Sequence, residues 1–198
     1  MLEYETTARS KGYNIIVGVD EAGRGPLAGP VVAAAVSLVP DCQLESLDDS
    51  KKLSPKAREK FFPIIKDQAL GYGIGIVDVE TIDNINILQA ALLAMKYAVE
   101  ALPEKPSLLL VDGNKYIESK IEQWTLVKGD SLSQSIAAAS VLAKVTRDKL
   151  MEQYHEQFPQ YAFDKHKGYG TRLHRDLIRE HGPCPIHRRT FKGVMEFV

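Results

Sequence analysis

Apolar residues along the chain fall into runs whose length and period separate strands from helices. NIIVGVD (14–20) and VVAAAVSLV (31–39) are continuous apolar stretches rich in β-branched residues, which predicts two buried strands. Between them stand Gly23, Gly25, Pro26, Gly29 and Pro30, which break any helix, so the two strands are expected to pair antiparallel across a turn-rich connection. Ser54-Pro55 reads as an N-cap followed by proline at the first helical position, opening a helix to about Leu70, and the alternation of GYGIGIVDV (71–79) predicts a third strand. The spacing of Leu88, Leu92, Met95 and Val99 predicts a helix from Asn86 that ends before Pro103 and Pro106. SLLLVDG (107–113) reads as a fully buried strand and WTLVKGD (124–130) as another. Ser131 and Gln134 have the spacing of a capping box for a long helix to about Phe158, where Pro159 stops it; its apolar stripe is Ile136, Ala139, Ala143 and Leu150. A last helix covers about 171–181. Strands in a block, then alternating with helices, imply an α/β fold with a mixed sheet flanked by helices. The expected division is a core over 1–158 and a small basic helical appendage over 159–198, folding as one unit.

A length of 198 residues suits one domain with a modest addition, and 44% hydrophobic with 26% charged residues is a soluble globular composition. The longest apolar stretch, nine residues from Val31 to Val39, falls far short of the roughly 20 that cross a bilayer. The first residues, MLEYETTARSKGYN, lack the apolar core of a secretory signal, so the expected compartment is the cytoplasm. There, Cys42 and Cys184 are expected to be reduced thiols without a role. A net charge of -1 hides an asymmetry: 10 Lys and Arg against 13 acids in residues 1–99, then 15 against 13. Eight basic and two acidic residues lie between Lys165 and Lys192. Such a patch suits a polyanion such as nucleic acid, and equally a solvated face.

The acids are placed more tellingly. Asp20-Glu21 and Asp112 end apolar runs, and Asp130 follows a third. Functional groups gather at strand ends in α/β sheets, and four carboxylates meeting there would repel one another unless divalent cations balanced them. Oxygen ligands without Cys/His spacing suit Mg²⁺ or Mn²⁺ rather than zinc. Asp beside Gly, as at 112–113 and 129–130, is also an ordinary turn acid, and residue spacing leaves both readings open. Gly23-Arg24-Gly25-Pro26-Leu27-Ala28 matches a dinucleotide-binding fingerprint, with Glu45 as the would-be ribose acceptor, but Pro26, Gly29 and Pro30 occupy the helix that fingerprint must open. A glycine-flanked arginine fits a close approach to a sugar-phosphate backbone instead. His181, Cys184 and His187 lack a fourth zinc ligand and read as surface residues among basic neighbours. Lys51, Lys52, Lys128 and Lys144 read as surface lysines that become phosphate contacts if a metal site lies beside them. Tyr169, between glycines in HKGYGT, is either a packing residue or a ring free to stack. Trp124 and the alanine-rich IAAASVLAK face read as core.

VGVDEAGRGPLAGPVVAA, DSKKL (49–53), VDG (111–113), KGDS (128–131), AAASVLAKVTRD (137–148) and HKGYGT (166–171) together closely resemble the ribonuclease HII family, the bacterial type 2 ribonucleases H, in order from about residue 14 to 193. The resemblance implies an RNase H-like fold and two-metal hydrolysis, with Mn²⁺ or Mg²⁺, of RNA in RNA/DNA hybrids and on the 5′ side of ribonucleotides embedded in duplex DNA. It implies metal-binding carboxylates at Asp20, Glu21, Asp112 and Asp130. Gly23, Arg24 and Gly25 would sense the ribose 2′-hydroxyl, Tyr169 would stack at the RNA–DNA junction, and Lys51, Lys128 and Lys144 would meet phosphates. The tyrosine loop and the short stretch before the first strand favour this family over ribonuclease HIII, which carries an extra amino-terminal domain. A sliding-clamp contact and a part in ribonucleotide excision are in keeping with the resemblance, and one site per chain favours a monomer. The rival from another class is a nucleic-acid- or nucleotide-binding module that does not hydrolyse.

Overall fold

In the computed structural model, which describes residues 1–40, 42, 44, 47 and 53–198, the first two apolar runs become β1 (Ile16–Ala22) and β2 (Val31–Leu38). They pair antiparallel, Asp20 opposite Ala34, and β1 runs on through Asp20 and Glu21 to Ala22 rather than ending at the acids. The alternating segment is β3 (Ala69–Val77), antiparallel to β2 at the sheet's edge. β4 (Leu108–Asp112) and β5 (Glu122–Leu126) add parallel strands on the other side of β1, giving the order β3-β2-β1-β4-β5. The chain is thus a mixed five-stranded sheet flanked by helices, in the α/β class.

Alternation along the strands divides the core in two. Val17, Val19, Ala33, Ala35, Leu109 and Val111 face one side, where α4 (Ile87–Glu100) covers them with Ala90, Ala94 and Ala98. Ala34 and Val36 face the other side and meet α5 (Gln134–Gln157) through its alanine-rich first turns, as the sequence predicts for that face. Gly18 shares this second face because α5 begins directly on it: a Cβ there would lie 2.1 Å from the Ser135 carbonyl carbon. α2 (Pro55–Gln68) starts at Ser54, whose side chain accepts from the Ala57 amide, in line with the expected cap.

Several boundaries differ from the sequence reading. α1 (Glu3–Ser10) has no run of apolar residues to announce it. α3 (Val79–Ile85) is seven residues opened by Asp78, whose carboxylate accepts from the Thr81 amide, so the β3 reading ran too far. Asn86 then turns the chain with φ 67° and caps α4 through its side-chain Oδ1, which accepts from the Leu88 and Gln89 amides. Ser133, not Ser131, caps α5: the Ser131 hydroxyl donates to the Lys128 carbonyl at 2.8 Å and is spent in the preceding turn. Gln134 reaches away instead, donating to Cys42 O at 2.6 Å and accepting from the Leu44 amide at 3.1 Å. Trp124 sits at the β5 edge, partly buried, edge-on to Tyr13 and under Lys11.

Beyond Phe158 come α6 (Phe163–His166) and α7 (Arg172–His181), the latter capped by Thr171. Tyr161, Phe163, Cys184 and Ile186 pack with Ala28 and Met151, and Ile178 and Val194 pack with Leu27. The carboxy-terminal residues are therefore joined to the β1–β2 connection by apolar contact. Among the described residues no helix is long and apolar enough to cross a membrane.

Candidate active site

Asp20 follows Gly18 on the face under α5 and is 4% exposed. Its Oδ1 accepts from the Glu21 amide at 2.7 Å, and Ser140 of α5 gives it a second hydrogen bond. Burial holds its carboxyl well above the usual range, the Glu21 and Asp112 charges push the same way, and the two hydrogen bonds only partly offset them. Asp112 reaches this place through parallel pairing: Gly18 is level with Leu110, and two residues further along each strand stand Asp20 and Asp112. The Asp112 Oδ1 accepts from the Gly129 amide at 2.7 Å, which fastens the turn after β5 to the end of β4. That single 3₁₀ turn, Gly129–Ser131, carries Asp130, 6% exposed, and follows Lys128 in a left-handed conformation at φ 60°. β5 ends at Leu126, so Asp130 belongs to the turn and not to a strand.

The Glu21 and Asp112 charges thus both bear on Asp20 near the ends of adjacent strands, and Asp130 follows the residue bonded to Asp112. Among the described residues no three carboxylate, imidazole or thiol groups already stand in a ligating arrangement. The donor set is nonetheless all oxygen, and a crowded, desolvated carboxylate lacks the positive charge that a hard divalent cation brings.

The loop after β1 borders this cluster. Arg24, its side chain half exposed, pairs with Glu21 at 3.3 Å. Gly23 has φ +101° and no room for a Cβ, which would lie 2.2 Å from Arg147 Nε, so only glycine fits there. Gly25 lies against Tyr169, a Cβ placing itself 4.0 Å from the ring, and the Leu27 amide donates to Gly168 O at 2.8 Å. Tyr169 is 41% exposed, with Lys144 Nζ 5.4 Å from the centre of its ring. Lys144 is itself paired with Asp148 at 2.6 Å, so it meets a phosphate only in competition with that carboxylate. A cleft of about 450 Å³ opens beside the ring, lined by Arg58, Lys144, Lys165 and Lys167 among others. Clefts of about 390 and 510 Å³ on α4 lie across the sheet from the carboxylates. Lys128 is exposed; Lys51 and Lys52, like Glu45, lie outside the described residues.

The model of the ribonuclease HII family matches residues 17–194, a span that holds every residue of this constellation. The chain belongs to the ribonuclease HII family. A ribonuclease HII of Syntrophotalea carbinolica is 55% identical over 197 residues, covering 100% of this chain and 94% of that one. Among solved structures, ribonuclease H2 from Pyrococcus horikoshii OT3 is similar at 26% identity with TM-score 0.76, over 93% of this chain and 97% of that one. The structure of the PCNA:RNase HII complex from Archaeoglobus fulgidus matches at 25% identity and TM-score 0.77, over 90% and 96%. Membership makes this chain an endoribonuclease, a phosphodiester hydrolase on an RNase H-like fold.

In this ribonuclease HII framework two buried arginines that the sequence reading missed support the loop. Arg147 of α5 donates to Pro30 O, Ala28 O and Lys167 O at 2.9–3.0 Å. Arg188 donates to Gly23 O, Arg24 O, Pro26 O and Gly29 O at 2.5–3.0 Å. Burial lowers both guanidinium groups, to about 10 and about 9. Arg147 left a trace in the sequence, standing four residues beyond Ala143 on an otherwise apolar stripe; Arg188 looked like its basic neighbours.

Cys184 and His187 are buried, contrary to the surface reading, because a chain of imidazoles takes them inward. The Cys184 amide donates to His187 Nδ1, so His187 Nε2 carries the proton and donates to His174 Nε2 at 3.0 Å. His174 Nδ1 in turn donates to Tyr169 O at 3.0 Å. His166 accepts from the Gly168 amide and donates to Tyr161 O. Burial pushes His174 down to about 3 and His187 to about 4, so these rings are neutral props for the tyrosine loop.

Proposed function

We propose that the chain hydrolyses the RNA strand of RNA/DNA hybrids and cuts duplex DNA on the 5′ side of an embedded ribonucleotide, with Mg²⁺ or Mn²⁺ held by Asp20, Glu21, Asp112 and Asp130. The observation that carries this reading is the crowding of Asp20, Glu21 and Asp112, in which burial and like charge disfavour the ionised Asp20. Two bound divalent cations would supply Lewis-acid stabilisation of the charge that builds on the scissile phosphate. The protein's own part is placement. Ser140 and the Glu21 amide orient Asp20, and the Gly129 amide orients Asp112. Gly23, Arg24 and Gly25 offer backbone groups to a ribose 2′-hydroxyl without side-chain bulk at the glycines. Arg24, Lys51, Lys128 and Lys144 would draw in phosphates, and Tyr169 offers its open face to a deoxyribose. A sliding-clamp contact belongs to the same reading, supported by the Archaeoglobus relative seen in a complex with PCNA.

The direct test is Asp112→Asn with saturating Mg²⁺ and a duplex holding one ribonucleotide. Cleavage should be abolished while hybrid binding stays largely intact, because the loss is in transition-state charge stabilisation. Near wild-type turnover would remove Asp112 from the site. Tight binding without cleavage by the unaltered protein would favour a non-hydrolytic binding module. Arg24→Ala should reduce cleavage in a graded way, since it removes one charge-assisted backbone contact.

A further inference from the structure

Among the described residues the connection from Gly23 to Pro30 meets other backbone only around Ala28, which forms an isolated antiparallel bridge with His187, and at the Leu27 amide, yet six of its eight carbonyls accept from a buried guanidinium. Arg188 alone takes the carbonyls of Gly23, Arg24, Pro26 and Gly29. The chain holds no cis peptide bond, and in a trans peptide the carbonyl of one residue and the amide of the next point in opposite directions. Drawing the Gly23 and Arg24 carbonyls toward Arg188 therefore turns the Arg24 and Gly25 amides away from it. Neither amide donates to a protein acceptor among the described residues, both residues are exposed, and Gly25 lies against the Tyr169 ring.

We infer that Arg188 is a positioning residue for ribose recognition: it gathers carbonyls on the inner side of the 23–30 loop and so fixes the Arg24 and Gly25 amides outward, where they donate to the 2′-oxygen of a ribonucleotide. The inference rests on the proposed reading of this loop as the ribose sensor and adds what sets its orientation. Arg188 itself touches no substrate. A lysine in its place keeps the charge but presents three donors at one point, which cannot span carbonyls distributed along seven residues. Without that span the two peptide planes are free to rotate, and the sensing amides lose their fixed direction.

The experiment measures affinity in Ca²⁺, to suppress turnover, for two duplexes that differ only in one 2′-hydroxyl. Wild type should bind the ribonucleotide duplex more tightly than the all-DNA duplex. In Arg188→Lys and Arg188→Gln, that ratio should fall by roughly fivefold to tenfold, the worth of one hydrogen bond, toward unity. A merely structural role would weaken both duplexes together, so a preserved ratio in a variant with a cooperative thermal transition overturns the inference. Amide exchange in wild type tests the same point without substitution. Arg24 and Gly25 should gain protection with the ribonucleotide duplex and not with all-DNA duplex; equal protection in a wild type that still binds the ribonucleotide duplex more tightly overturns the inference even if neither variant folds. A wild type that cleaves hybrids but shows no ribonucleotide preference in either assay would instead sink the ribose-sensor reading of the loop while leaving the nuclease assignment standing.

Discussion

Asp20 is the residue at which burial and charge oppose one another most strongly. Its carboxyl is raised in the folded state, so the metal-free protein keeps a proton that the unfolded chain has already released, and stability falls as pH rises from about 4 through that raised value. Asp20→Asn removes the charge and keeps an oxygen toward Ser140 and the Glu21 amide. In EDTA at pH 7 the variant should melt higher than wild type, with little gain near pH 3, and Mg²⁺ should raise the wild-type Tm more than the variant's. A lower Tm in EDTA would make Asp20 a structural acid. Tyr169 is the other discriminating position, since stacking is worth about 1–3 kcal/mol and needs a flat sugar or base face. Tyr169→Ala should lower cleavage at a lone ribonucleotide more than within a continuous hybrid, and Tyr169→Phe should keep much of both activities; equal losses on the two substrates would make the ring a packing residue. The positions of Asp20 and Asp112 were legible because each closes an apolar run. Arg188 was not, since a buried guanidinium that binds only carbonyls has the same one-letter surroundings as a solvated one.

The helix that carries Ser140, Lys144 and Arg147 is anchored at its start by α1. Glu5 Oε1 accepts from the Ser133 hydroxyl, the Ser135 hydroxyl and the Ser135 amide at 2.6–3.0 Å, placing a buried carboxylate at the positive end of α5. Glu5→Ala leaves those donors buried and unpaired, so the urea midpoint should drop by the equivalent of about 1–3 kcal/mol; an unchanged midpoint would show that water replaces the carboxylate. Gly18→Ala acts on the other side of the same junction, driving a methyl group into the first turn of α5, and should cost about 1–3 kcal/mol or more as well as activity, read by melting and cleavage together. Strands and long helices were readable because burial writes a strong period into them. α1 and α3 were not: the cap at Asp78 and the carboxylate at Glu5 work through single polar atoms, which leave no period at all.

Over the whole molecule, the histidine chain makes stability depend on acid. His166, His174 and His187 are all held below the ordinary imidazole value, so the unfolded chain gains protons as pH falls below about 6.5, while folded His187 refuses its proton until about 4 and His174 until about 3. Unfolding free energy should therefore decline between pH 6.5 and 4, with a slope approaching the two protons of His174 and His187 at about 1.4 kcal/mol per pH unit each and His166 adding in the same direction, best measured in Asp20→Asn to remove the opposing carboxylate. A flat profile would mean the rings titrate freely in the native state. The fold class was legible from the order of strands and helices, because an acid-tipped strand in a mixed sheet needs only local patterning to be recognised. The union of the carboxy-terminal residues with the 23–30 loop was not, since it joins positions more than 150 residues apart through Arg188. That separation has a meaning for synthesis. Neither Asp112, 92 residues after Asp20, nor the arginines that shape the loop exist while the first hairpin is leaving the ribosome, and the final support arrives only with residue 188 of 198. A nascent chain thus has its first strands long before the 23–30 loop has the guanidinium groups that shape it, and that loop takes its form only once residue 188 has been made.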